Sequence, residues 1–147
     1  MDDKGKDIKV GFQLKRVTTE QFAIIDSAYD KNYTKVDLDV GIKFGIDKEH
    51  RIVASFVSAQ FKQNDSVFLK VEVAGHFEVE ADSWNGFLKD DSVVIPKGFA
   101  SHLVMLTIGT LRGVLHCKTE NTEFNKFLLP AVNVAAMIPN DVILKQK

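Results

Sequence analysis

Four apolar/polar alternations of period two fill residues 8–80, and the period then changes to that of a helix. Ile8–Thr19 alternates Ile8, Val10, Phe12 and Leu14 with Lys9, Gly11, Gln13 and Lys15. Tyr33–Ile46 sets Val36, Leu38, Val40, Ile42 and Phe44 against Lys35, Asp37, Asp39 and Lys43. Arg51–Lys62 and Val67–Glu80 repeat the pattern, the last with Val67, Leu69, Val71, Val73, Phe77 and Val79 on one face. Alternation of this kind describes strands with one face buried. The short polar turns 47–50 and 63–66 join antiparallel neighbours. Glu20–Asn32 shows no period and is expected to be a long loop on an apolar surface, and Ala81–Ile95 to be irregular.

From Pro96 to Lys118 the chain reads as one helix, opened by a proline whose missing N–H is harmless in a first turn. Its apolar residues, including Phe99, Leu103, Val104, Leu106, Ile108, Leu111, Val114 and Leu115, leave almost no polar face. Such a helix is buried on more than one side. One four-stranded sheet cannot do that, which predicts oligomerisation, with Phe99, Leu103, Leu106, Thr110 and Val114 at the contact. Lys118–Phe127 is polar and reads as a loop, and Pro130 starts a short second helix over Ala131–Ile138. Strands first and helices last define an α+β domain. Its length of 147 residues suits a single domain over the whole chain, with charged residues 1–7 frayed at the start.

Several classes of function find no support. A net charge of -1 and the lack of a basic stripe argue against nucleic acid. No run approaches the ~18 apolar residues of a membrane span, and the acidic start MDDKGK is not a signal peptide. Together with the single Cys117 this predicts a cytoplasmic protein without disulfides. His102 and His116 share the long helix but stand about 21 Å apart at 1.5 Å per residue. One cysteine cannot build a structural zinc site, and Cys117 has no base in evident reach. The expectation is no metal, no cofactor and no catalytic constellation.

The order of landmarks resembles the SecB family of export chaperones. Phe12-Gln13-Leu14-Lys15-Arg16-Val17 is similar to the family's first strand, and Val36-Asp37-Leu38-Asp39 to its second. Val67–Phe77 is similar to the fourth, which ends in a Gly-x-Phe step. Pro96, Thr110-Leu111-Arg112-Gly113 and Leu129-Pro130-Ala131-Val132-Asn133 follow in the same order. The resemblance covers about residues 8–138. It implies a homotetramer, a dimer of dimers around the long helices, that holds unfolded client polypeptides without ATP before export through the Sec pathway. It also implies the motor SecA as a partner. Export members dock SecA through a cysteine- and histidine-containing zinc-binding tail, which the residues up to Lys147 do not supply. Gln21 and Ile25 stand where the family has acidic contacts for the motor. SecB-like chaperones dedicated to toxin–antitoxin systems are the alternative setting.

A holdase needs broad apolar surface. The residues expected to provide it lie between elements: Phe22 and Ile24, then Trp84, Phe87 and Leu88, then Phe124 and Phe127. A ligand-binding or structural oligomer on the same fold is the reading from another class, and it would enclose a pocket with converging polar groups.

Overall fold

The computed structural model describes residues 9–145, so the fraying expected at 1–7 lies outside it. Four strands, β1 (Phe12–Ile24), β2 (Asp37–Asp47), β3 (Ile52–Gln63) and β4 (Ser66–Val79), form one antiparallel sheet in the order β1-β4-β3-β2. β2, β3 and β4 are joined by tight turns, and β1 returns to lie beside β4, a Greek-key order. Asn64 and Asp65 both adopt positive φ (51° and 66°) between the paired residues Gln63 and Ser66. This is the backbone of a type I′ hairpin, whose twist matches that of its strands.

Two expectations about irregular segments are corrected. Strand β1 runs on to Ile24, so Phe22 and Ile24 belong to a strand and not to a loop. Residues 81–95 are ordered as helix α1 (Ala81–Phe87) and the hairpin β5 (Leu88–Lys89) and β6 (Ser92–Ile95). The long helix α2 spans Lys97–Thr119, with Pro96 as its N-cap residue. The second helix, α3, is shorter than expected, Val134–Met137, and is capped by the Asn133 side chain, which accepts from the Ala136 N–H at 3.2 Å. A last strand, β7 (Val142–Lys145), pairs with β6 and completes a second sheet, β5-β6-β7. Just before it, the Asp141 carboxylate accepts from the Lys97 N–H at 2.9 Å and so satisfies a free donor in the first turn of α2.

Helix α2 lies across β3 and β4. Val53, Ser55, Val57 and Ala59 of β3 and Val71, Val73, Gly75 and Phe77 of β4 present one continuous buried face to it. Phe99, Leu103, Thr107, Leu111 and Leu115 form the buried side of the helix. The seat is tightest at Gly75, which is paired with Ser55. A Cβ there would stand 2.9 Å from the Phe77 ring and 3.1 Å from the Thr107 hydroxyl. At the far end of the sheet Tyr29, Phe61, Phe68, Phe124 and Phe127 close the layer with ring centroids between 4.8 and 6.4 Å apart.

The all-round apolar character of α2 is divided between two environments. Phe99 and Leu103, expected at a subunit contact, are buried inside the domain because they face the sheet. Met105 and Leu106 keep 58% and 42% of their surface exposed. By length and composition alone α2 is long and apolar enough to cross a membrane, contrary to the sequence expectation, but its sheet-facing side belongs to the hydrophobic core.

Gly75→Ala is predicted to lower stability by about 1–3 kcal/mol, the usual cost of forcing atoms into a packed core. Urea unfolding measures it; an unchanged midpoint removes the close seat as a constraint.

Candidate functional site

The flank of α2 that faces β1 is fixed by two contacts. The Phe12 ring meets His102 edge-on at 5.7 Å, and Lys118 Nζ lies 5.9 Å above the Phe22 ring. Residues four apart share a helix face, so the steps His102, Leu106, Thr110, Val114 and Lys118 trace one ridge between these contacts. The ridge is about 24 Å long at 1.5 Å per residue.

Strand β1 supplies the facing residues. Leu14 is paired with Phe77, Val17 with Gly75, Thr19 with Val73 and Phe22 with Val71. Directly opposed residues point to the same side of a sheet, and these β4 partners are buried beneath the helix. β1 therefore turns Leu14, Val17, Thr19 and Phe22 toward the helix side of the sheet. Irregularities at Leu14/Arg16 and Thr19/Gln21 shift the phase twice and keep an apolar or uncharged residue of all three stretches facing inward. Leu14 and Val17 are exposed by 48% and 43%, as open as Leu106. The result is a shallow apolar strip between β1 and α2, with charge only at its Lys118 end and an imidazole at the other.

The seven loop positions named from sequence separate. Phe22 lies on the strip, and Ile24 continues the same face of β1, paired with Leu69. Trp84 and Phe87 are corrected to the core, each 4% exposed. They stand three residues apart on α1 and so share one face, with Phe87 packed on Phe99 at 5.8 Å. Leu88, the next residue, is exposed in β5. Phe124 is likewise corrected to the core: it is buried against Tyr29 and Phe68. Phe127 is half-buried in the same cluster. Of the five positions named for a subunit contact, Leu106, Thr110 and Val114 line the strip. Leu14, Val17 and Met105 are exposed apolar residues within regular elements, where the sequence pattern alone does not mark them as open.

Among the described residues, no three or more His, Cys, Asp or Glu side chains group as metal ligands. Cys117 is an exposed free thiol.

An α+β domain with a four-stranded antiparallel sheet, a long helix laid across it and a short C-terminal helix is the SecB-like fold. The Mycobacterium tuberculosis SecB-like chaperone Rv1957, solved in complex with a ChAD peptide from the antitoxin HigA1, shares it. The TM-score is 0.50 at 10% sequence identity, over 83% of this chain and 91% of that one. A Streptococcus agalactiae protein of unknown function also aligns, at a TM-score of 0.40 and 10% identity over 85% and 99%. No protein-family model and no curated protein sequence matches the chain.

Phe87→Ala is predicted to destabilise the domain by about 3–5 kcal/mol, the range for emptying a buried aromatic site. Leu88→Ser should stay within about 0.5 kcal/mol, as exposed positions do. Thermal melts of the two variants check this, and equal losses would contradict the division of α1 from β5.

Proposed function

We propose that the protein is an ATP-independent holdase chaperone, not an enzyme, which holds unfolded segments of other polypeptides on the strip between β1 and α2. The carrying observation is the strip itself: Leu14, Val17, Phe22, Leu106 and Val114, aligned over a length that an extended segment of about seven residues would span. Apolar burial is non-directional. A shallow apolar strip therefore accepts many sequences, as a holdase requires. The fold neighbour is itself a chaperone holding a peptide, which supports the same reading.

Assembly as a homotetramer, a dimer of dimers in the cytoplasm, completes the proposal. Its surface is the outward side of α2. Met105, Gly109 and Gly113 lie there, and a Cβ on either glycine would meet nothing within 4 Å. Small residues on an exposed apolar helix face let a second helix approach closely. Metal and cofactor play no part in this mechanism.

Two cellular settings suit such a chaperone: Sec-dependent export, with SecA as the receiving motor, and service to a toxin–antitoxin pair. The antitoxin peptide held by the fold neighbour favours the second.

Stoichiometric protein should delay aggregation of an unrelated unfolded protein. Val17→Asp and Leu106→Asp should each weaken client binding by roughly tenfold or more, the equivalent of exposing one covered apolar side chain again at about 1.5 kcal/mol. Fluorescence anisotropy of a labelled unfolded client reads this, and unchanged affinity in both variants would falsify the site.

Assembly has its own test. Light scattering at micromolar concentration should give the tetramer, and Gly113→Leu should reduce it to smaller species while the circular dichroism spectrum persists. A folded wild-type monomer would remove the assembly proposal and leave the strip standing.

A further inference from the structure

The face of the sheet turned away from α2 carries a feature that client holding does not use. Pairing places Arg16 opposite His76, His76 opposite Ala54, and Ala54 opposite Gly45. These four residues form one rank across all four strands, with side chains falling in size from a guanidinium to a hydrogen. Phe56 and Ile52 stand two residues to either side of Ala54 on β3 and so share its face. They wall a trough whose floor is Ala54 and Gly45. The cavity encloses about 430 Å³ and opens to solvent. The Phe56 ring meets His76 edge-on at 6.4 Å, and Lys43 Nζ, which also pairs with Glu72 at 3.8 Å, lies 5.1 Å from the centre of the Phe56 ring.

The charges at the head of the trough are unequal in their commitments. Lys15 and Arg51 both pair with Glu78, at 3.6 and 3.7 Å. Thr18 donates to Glu20 and contacts His76 Nε2 at 3.1 Å. Arg16 makes no ion pair with any described residue, and its side chain lines the cavity. Burial and, after it, the neighbouring Arg16 charge lower the pKa of His76, so the imidazole is neutral and offers a polar edge without a second cation.

We infer that this trough is a second binding site, for a small carboxylate with an apolar tail. The carboxylate takes the Arg16 guanidinium in a charge-assisted hydrogen bond. The tail lies along Ala54 and Gly45 between Phe56 and Ile52, where the missing side chains leave its space. Asp47 also lines the trough but is paired with His50 at 2.9 Å, so the uncommitted Arg16 is the charge that takes the anion, and the bare floor of Ala54 and Gly45 takes a single ring or short alkyl chain.

The probe is 3-phenylpropanoate, with 3-phenylpropanamide as its uncharged match, titrated into the intact protein and followed by NMR at His76. The acid should bind saturably with a dissociation constant on the order of 1 mM, the scale expected for so few atoms. It should bind about tenfold tighter than the amide. Arg16→Gln, at an exposed position, should bring the acid down to the affinity of the amide. Ala54→Leu, which fills the floor, should abolish binding of both, and retained circular dichroism shows that the variant is folded. Val17→Asp, on the other face, should leave the acid's affinity unchanged, which separates this site from the strip. Equal affinity of acid and amide, persistence of tight binding in Arg16→Gln, or the lack of any saturable shift would each overturn the inference.

Discussion

The seat of α2 on the sheet at Gly75 governs the rest of the molecule. Thr107 reaches within 3.1 Å of where a Gly75 Cβ would stand, and Ser55 is the residue opposite. Small residues at the crossing draw the helix axis close to β3 and β4. A helix with its side chains is about 10 Å wide, and four strands spaced at about 4.8 Å make a sheet nearly twice that. One helix seated over the middle pair therefore leaves the inner faces of β1 and β2 to either side. β7 approaches β2, so that flank is roofed in part. Leu14 and Val17 keep over two fifths of their surface exposed on the other. The open strip follows from the mismatch in width and the placing of the helix, together with the two phase shifts that keep the apolar residues of β1 turned inward.

How much of this was legible in the residues depends on the length of each period. Strands β2, β3 and β4 and helix α2 hold their periods over about ten residues or more, and their spans lie within a few residues of those expected. The end of β1 was not legible because irregularities at Leu14/Arg16 and Thr19/Gln21 shift the phase twice, so Val17 and Thr19 fall out of step with Phe12 and Leu14 before them and with Phe22 and Ile24 after them. Helix α1 has only seven residues, including Gly86, too few for a period to be seen. Its one signal is the i, i+3 spacing of Trp84 and Phe87, which puts both on a buried face. Phe124 carries no local signal at all. It is buried by Tyr29 and Phe68, residues far away in sequence, and only the tertiary fold brings them together.

The site was half legible for a related reason. Alternation says that Leu14 faces the helix side of the sheet, and it does. Alternation cannot say that β1 is an edge strand, or that the helix sits over its neighbours. Exposure of an inward-facing residue depends on those two facts. Apolar residues between the long elements, Trp84, Phe87 and Phe124, therefore complete the core, whereas Leu14 and Val17 lie open within a strand. The helix ridge was closer to hand, since Leu106, Thr110 and Val114 were singled out by the excess of apolar residues on α2.

That excess serves two surfaces that need not compete. Met105, Gly109 and Gly113 each precede a ridge residue by one position: Leu106, Thr110 and Val114. One residue is about 100° of helix rotation. The face proposed for a second copy and the face proposed for a client are thus rotated by about a quarter turn along the same length of α2. A copy docked on the glycines would stand beside the strip and deepen it into a groove, adding a wall opposite β1. Client affinity would then rise with assembly without any change in fold, because each covered side chain loses more of its surface to the client. The apolar surplus of the helix is accounted for on all three sides: the sheet, the strip and the neighbouring subunit.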